Sequence, residues 1–324
     1  MFTKPTLASA PTKIIPLAAV VGSVCFALPA QANYYDCKPP KTSYAEVDCT
    51  SDGNYFLGFN KDRQLQALLN KQGKVIASLK GYDSVSWTVS DGVIAVMKND
   101  KVGYVNTRGK LVVPTIYDNL IDPDDKYDEA WANDASEGRI VVAKNGKFGI
   151  IDTSNKVILP FTSKYRTIEG MTEGMAPIMS KSGKWGFLDK NGKEVVPPKY
   201  EGLDGNFGGV YGFRQGLAGV YDGNKWGFIT KTGKVALPFV YDEIRPFSEG
   251  LAGVLKNGKW GFINGANKTI IPFKYSDKNV ERYSVNYMGA NYFVFNEGVA
   301  EVATINDKTV CINKSGKSVA CPDY

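Results

Sequence analysis

A chain of 324 residues without a single histidine cannot run a Ser-His-Asp or Cys-His relay, use a histidine general base, or hold a metal through imidazole. Carboxylate pairs are the common catalytic device that remains. Acids recur in Tyr117-Asp118, Tyr200-Glu201 and Tyr241-Asp242. A pair repeated at one place in successive stretches reads as a turn or an inter-strand hydrogen bond, not as a catalytic acid and base. The stretch from Asp118 to Glu137 gathers Asp122, Asp124, Asp125, Asp128, Glu129 and Asp134. It lacks the glycine at loop position six and the closing glutamate of an EF-hand, so it reads as a solvated acidic loop. The glycine-rich run from Leu203 to Phe213 has neither Gly-Lys-Ser/Thr nor a following helical pattern, which excludes a phosphate loop. No catalytic residue, metal ligand or cofactor is assigned. Tyr283 and Tyr287 are the candidate ligand-binding residues, because rings on a loop can stack on sugars or anchor a protein partner. Nearby Tyr292, Phe293 and Phe295 read instead as a packed strand.

The elements that must position such residues are repeats. Three clear copies are GMAPIMSKSGKWGFLDKNGKEVVPPKY from Gly174, GLAGVYDGNKWGFITKTGKVALPFVYD from Gly216 and GLAGVLKNGKWGFINGANKTIIPFKY from Gly250. Looser copies begin at Gly92 and Gly138 and a truncated one at Gly298. A degenerate first copy runs through Lys71-Gln72-Gly73-Lys74 to Tyr82-Asp83. Gly103 to Pro114, Gly149 to Pro160, Gly186 to Pro197, Gly227 to Pro238 and Gly261 to Pro272 are each eleven residues apart. All the length variation falls between the proline and the next opening glycine, as for a fixed module joined by variable surface loops.

Within a unit, alternate residues after the opening glycine are apolar, as in Ala218 and Val220 or Ala252 and Val254. That period of two is a strand with one buried face. A tight turn leads to a second strand bearing Trp185-Gly186, Trp226-Gly227 or Trp260-Gly261, each followed by Phe and Leu or Ile. Trp and Phe point one way, Gly and Leu/Ile the other. This strand is covered on both faces, and these Trp-Gly pairs form the repeat core. The glycine admits a neighbouring backbone or ring where a Cβ would collide. A second turn, such as Asn191-Gly192-Lys193, opens a third strand that ends at proline. The Tyr-Asp after it starts a fourth strand or a turn. The fold class is all-β: tandem three- to four-stranded antiparallel meanders in a propeller-like array, with an open β-solenoid of stacked hairpins as the alternative.

In Lys184-Trp185-Gly186-Phe187, Lys225-Trp226-Gly227-Phe228 and Lys259-Trp260-Gly261-Phe262 the chain resembles the bacterial WG-repeat family, also called KWG repeats. Its signature has an opening Glu-Gly-Leu-Ala-like strand, the Lys-Trp-Gly-Phe core, an Asn-Gly-Lys turn and a closing Pro-x-x-Tyr-Asp. Here it spans roughly Gly92 to Tyr275. The resemblance implies a β-repeat scaffold with a binding role and no common catalytic residues.

Residues 1–32 read as a signal-peptide helix. Lys4 and Lys13 precede an apolar stretch from Ile14 to Leu28, and Ala30-Gln31-Ala32 offers a small-x-small cleavage site before Asn33. Val24 stands where a lipobox needs a small residue, so Cys25 is not read as a lipid anchor. No other apolar run reaches the roughly 18 to 20 residues of a membrane-spanning helix. The formal charge of +6 loses two lysines with the leader, and the remaining mild excess singles out no partner. Cys37, Cys49, Cys311 and Cys321 suggest two disulfides in an exported chain. Local pairs are favoured, each closing a short loop at one end of the array. The expected domains are the leader, a cap with the degenerate first repeat at 33–90, five repeats at 91–276, and an insertion, truncated repeat and cap at 277–324. The expected protein is a monomer, secreted, periplasmic or on the cell surface. It acts as a non-catalytic module for an envelope protein or polysaccharide, and not for nucleic acid. The rival readings are a carboxylate-dependent glycan-active enzyme and a purely structural envelope protein.

Overall fold

The computed structural model describes residues 37–120, 131–202, 210–276, 292–306 and 308–322. The leader, Tyr283, Tyr287 and the acids from Asp122 to Glu129 lie outside them. The described residues form seven antiparallel sheets, each a meander whose strands pair in chain order. The first holds β1 (Glu46–Cys49), β2 (Tyr55–Phe59), β3 (Leu65–Asn70) and β4 (Val75–Ser78). The second holds β5 (Ser84–Ser90), β6 (Val93–Lys98), β7 (Lys101–Asn106) and β8 (Leu111–Asp118). The third has β9 (Arg139–Lys144), β10 (Lys147–Asp152) and β11 (Val157–Thr162). The fourth has β12 (Tyr165–Ile168), β13 (Met175–Ser180), β14 (Trp185–Asp189) and β15 (Glu194–Tyr200). The fifth has β16 (Leu217–Tyr221), β17 (Trp226–Thr230) and β18 (Val235–Tyr241), with Val210 bridging to Val220 at its edge. The sixth has β19 (Glu243–Ile244), β20 (Leu251–Lys256), β21 (Lys259–Asn264) and β22 (Thr269–Ser276). The seventh has β23 (Val299–Ala303), β24 (Thr309–Asn313) and β25 (Ser318–Val319). The chain is thus an all-β, propeller-like array of meanders.

Two expectations about the unit change. A further strand does follow the Tyr-Asp pair, as β5 follows Tyr82-Asp83 and β19 follows Tyr241-Asp242, but it joins the next sheet, pairing with that unit's opening strand. The tyrosine instead ends the third strand, where Tyr200, Tyr241 and Tyr275 pair opposite Trp185, Trp226 and Trp260. Residues 33–70, which carry no repeat spacing, supply β1 to β3 of a complete first sheet. Apolar alternation alone suffices there to bury one face.

The fixed glycine-to-proline spacing has its cause in the register. Phe187 faces Val196 and Trp185 faces Tyr200, so Pro197, Pro198 and Lys199 bulge past Gly186 alone. A Cβ on Gly186 would lie 2.3 Å from the Val196 carbonyl oxygen and 2.7 Å from the Pro198 nitrogen. The close approach comes from the unit's own third strand, and proline fits because a bulge leaves the ladder unpaired.

The opening glycine belongs to a two-residue turn with both residues at positive φ. Glu173 and Gly174, at 52° and 79°, join Thr172 to Met175, the geometry that matches strand twist in a hairpin. The residue before each glycine also reaches out of its own unit. Gly138 N–H donates to Asp91 Oδ2 at 2.7 Å, Gly174 N–H to Glu137, Gly216 N–H to Glu173 at 2.9 Å, Gly250 N–H to Gln215 Oε1 at 2.9 Å, and Gly298 N–H to Glu249. A row of side-chain acceptors thereby ties six successive turns together.

Packing between units repeats too. Phe213 meets Phe187 edge-on at 5.0 Å, Phe247 meets Phe228 at 5.0 Å, and Phe295 meets Phe262 at 4.9 Å. Apolar clusters bridge each consecutive pair of sheets. On the other face of the first sheet, Phe56, Ala67 and Leu69 cluster with Cys37 and Tyr44 and with Val47 and Cys49 of β1. Disulfides join Cys37 to Cys49 and Cys311 to Cys321, the local pairing. Burial across neighbouring faces holds the array, as in other one-dimensional repeats.

Candidate functional site

The repeat breaks most completely in the first sheet. Leu68 pairs with Ala77 and Leu69 with Val75, as Phe262 pairs with Ile271 and Ile263 with Thr269 in the sixth. By this register Gln66-Ala67 stand where the fourth, fifth and sixth sheets have Trp-Gly. Ala67 pairs directly with Ser78, so no bulge passes over it and no tyrosine comes opposite Gln66. Glycine, bulge, tyrosine and tryptophan are all absent here, whereas the second sheet, with Val102 in the tryptophan place, keeps Gly103, the bulge and Tyr117.

At the corresponding place in the sixth sheet the space is full. Trp260 is 0% exposed, lying between the Arg245 guanidinium at 4.6 Å and the Phe293 ring, which stacks on it at 4.5 Å and 6°. Arg245 is buried and paired with Glu243. Burial pushes the adjacent Tyr211 phenol up, against the opposing pull of Arg245. In the first sheet the equivalent space is an open groove of about 770 Å³, walled by the β2–β3 loop, the Lys80–Asp83 connection and β5.

Trp87 stands in that groove and is 45% exposed, the one aromatic among the large exposed apolar side chains of the described residues. It occupies the position in its unit that Phe293 occupies in the seventh, four residues before the turn acid. A bulge aims it. Val85 pairs with Val96 and Val89 with Ile94, leaving Ser86, Trp87 and Thr88 opposite Ala95 alone. The bulge is held by Thr88 N–H donating to Ser86 Oγ, by Ser51 N–H donating to the Trp87 carbonyl at 2.9 Å, and by Val89 N–H donating to Ser51 Oγ. Bulges commonly re-aim a side chain in this way. The Trp87 ring lies nearly parallel to Phe59 at 6.1 Å and 26°. Gln64, Gln66, Asp83 and Arg63 line the polar wall, and Arg63 is paired with Glu46 at 2.6 Å.

Elsewhere the acids have structural partners. Lys101 pairs with Asp118 at 2.9 Å, Lys184 with Glu201 and Lys225 with Asp242, so the lysine before each Trp-Gly position meets the acid after the tyrosine. Asp118 and Asp242 also accept backbone N–H groups of the following hairpin. Lys225 holds the Asp242 carboxyl below the ordinary range, against opposing desolvation. Two acids differ. Burial raises Asp134, with Thr88 donating to it, and burial raises Glu169, although both side chains reach solvent. Among the described residues no three acids or cysteines come together as a metal-binding group.

Of the residues singled out in the sequence, Trp185, Trp226 and Trp260 are buried at 5%, 3% and 0% exposure beside their glycines. Phe293 and Phe295 are buried in the last core cluster but not as the expected strand: Tyr292-Phe293 is a turn, with Phe293 at φ 64° and its N–H donating to the Glu301 carbonyl of β23. Tyr283 and Tyr287 lie outside the described residues. Trp87 and Gln66 were missed, and the available signal was the loss of Trp-Gly in the first copy beside a tryptophan flanked by Ser86 and Thr88.

The family described as WG containing repeat matches residues 68–101, 103–125, 148–185, 185–226, 226–260 and 260–284. A comparison with curated proteins gives no match. Solved structures of low identity align over most of the chain. BamB from Moraxella catarrhalis is 14% identical at a TM-score of 0.41, over 88% of this chain and 84% of its own. A eukaryotic initiation factor is 11% identical at 0.47, over 87% and 78%. The computationally designed Ika8 protein is 11% identical at 0.43, over 82% and 83%.

Proposed function

The chain belongs to the WG-repeat family, and on that premise we propose that it is an exported, non-catalytic interaction module that engages an envelope protein or polysaccharide. The observation that carries this reading is the groove of the first sheet: preformed, open, and lined by an exposed ring where the repeat would otherwise be filled. Binding sites on rigid scaffolds characteristically combine such a cavity with a few fixed polar groups. The leader-like residues 1–32 and the two disulfides support export. Among the described residues, no helix is long and apolar enough to cross a membrane.

The test is retention of purified protein on envelope fractions, with peptidoglycan and polysaccharide separated from protein. Saturable retention on either fraction is the expected result, and its absence on both would remove the binding reading. The rival reading, a carboxylate-dependent glycan-active enzyme, requires the protein to release reducing ends from an envelope glycan.

A further inference from the structure

We infer that the first-sheet groove is a subsite for a neutral oligosaccharide, with Trp87 as its stacking platform; this rests on the binding reading above and names its ligand class. The groove is the place of a missing tryptophan, yet at about 770 Å³ it is several times larger than one aromatic side chain. A single inserted ring from a protein partner would leave it mostly empty, whereas a short run of sugar rings fills a cavity of that size. A pyranose has one face of C–H groups and an edge of hydroxyls. The groove offers the complement: the exposed face of Trp87, backed by Phe59, and a wall of planar polar groups.

Those groups keep hydrogen-bonding capacity to spare. Gln66 Nε2 donates to the carbonyls of Gln64 and Leu65, leaving its Oε1 without a partner among the described residues. Asp83 Oδ2 accepts from Asn99 N–H at 2.6 Å and its Oδ1 is open on the same terms. Charge decides against an anionic ligand. Arg63 is neutralised by Glu46 and Asp48, and Lys80 stands in the same wall as Asp83. The bulge pinned by Ser51 fixes Trp87 in advance, so little ordering opposes binding.

The experiment titrates the full chain with trisaccharides of β-linked glucose, α-linked glucose, mannose and N-acetylglucosamine, and with a sulfated oligosaccharide. Calorimetry and the Trp87 indole N–H resonance are the readouts. At least one neutral trisaccharide is expected to bind and shift that resonance. Trp87→Ala should weaken it tenfold or more and Trp87→Phe by much less. Gln66→Trp, which places there the side chain the fourth, fifth and sixth sheets carry, should abolish binding without lowering the melting temperature. The inference is overturned if no neutral sugar binds, if only the sulfated one does, or if Trp87→Ala and Gln66→Trp bind like the parent. Trp87-dependent capture of an envelope protein without sugar binding would overturn the ligand class alone and leave the interaction module standing. No retention on any envelope fraction would remove both.

Discussion

Replacing Glu173 tests whether the row of turn acceptors holds adjacent units together. Glu173 Oε1 accepts the Gln215 N–H, Oε2 accepts the Gly216 N–H at 2.9 Å, and Oε2 lies 3.2 Å from Lys231 Nζ. A hydrogen bond to a charged group contributes about 1.5 to 3 kcal/mol. Glu173 is 32% exposed, so water recovers part of each bond, and the lysine pair adds under about 1 kcal/mol. Glu173→Ala is therefore expected to cost about 2 kcal/mol. Glu173→Gln keeps one strong acceptor, the solution Gln215 already uses toward Gly250, and should cost about 1 kcal/mol. Glu173→Gly loses the same contacts as alanine but relieves a non-glycine residue at φ 52°, a conformation that costs about 1 to 2 kcal/mol. The alanine variant is expected to be the least stable, with the glutamine and glycine variants both nearer the parent. Urea unfolding followed by tryptophan fluorescence measures it, and amide exchange at Gly216 locates it. An alanine variant within about 0.5 kcal/mol of the parent, or one more stable than the glycine variant, would refute the argument.

Trp226→Ala should cost about 3 to 5 kcal/mol by emptying a buried site; a urea-unfolding change well under about 1 kcal/mol would contradict its core assignment. Gly186→Ala should destabilise by about 3 kcal/mol or more, because its Cβ meets the backbone of β15, whereas Gly149→Ala should cost less, since the ring of Phe161 at 3.0 Å can move. Equal losses in thermal melts would refute that distinction. For pH, the Asp242 carboxyl is held below its unfolded value chiefly by Lys225. Its contribution is full above about pH 4 and is lost as pH falls through the depressed folded value. Asp134 and Glu169 have raised values, so their unfavourable contribution lifts as pH falls through those values. Stability should hold or rise slightly on mild acidification and drop below about pH 4. Asp242→Asn should flatten the drop in urea midpoint, and an unchanged pH profile in that variant would refute the assignment.

The array was legible because its constraints are local and repeated. Period-two alternation gave the strands, and the fixed distance from Gly186 to Pro197 marked a rigid module. What could not be read was the reason for that distance. A bulge opposite Gly186 is a property of pairing between β14 and β15, and one-strand periodicity carries no register. That the strand after the Tyr-Asp pair belongs to the next sheet could not be read either, because the proline-to-glycine segment varies in length. Short or irregular edge strands such as β19 (Glu243–Ile244) leave almost no periodic signal. The acceptor row was hidden for another reason: Glu137, Glu173 and Glu249 look like ordinary exposed turn acids until the next unit's glycine N–H is placed beside them.

The groove follows from the same physics applied at an end of the array. An interior Trp-Gly pair is fixed from several sides, by its own bulged third strand and by side chains of its own and the next unit, so replacing Trp260 would leave Arg245 and Phe293 without their shared partner. Among the described residues, the first sheet packs on the second sheet through one face, while Phe56, Ala67 and Leu69 on the other cluster with residues of the Cys37–Cys49 segment. Gln66 can stand in the tryptophan place because the bulge, glycine and tyrosine that tryptophan packs with are absent too. The disulfide restrains the end that gave up that packing. Freed from the core, the space between the first two sheets keeps rigid walls and gains access to solvent. That combination is what a binding surface needs, and the fourth, fifth and sixth sheets, filled by Trp185, Trp226 and Trp260, do not provide it.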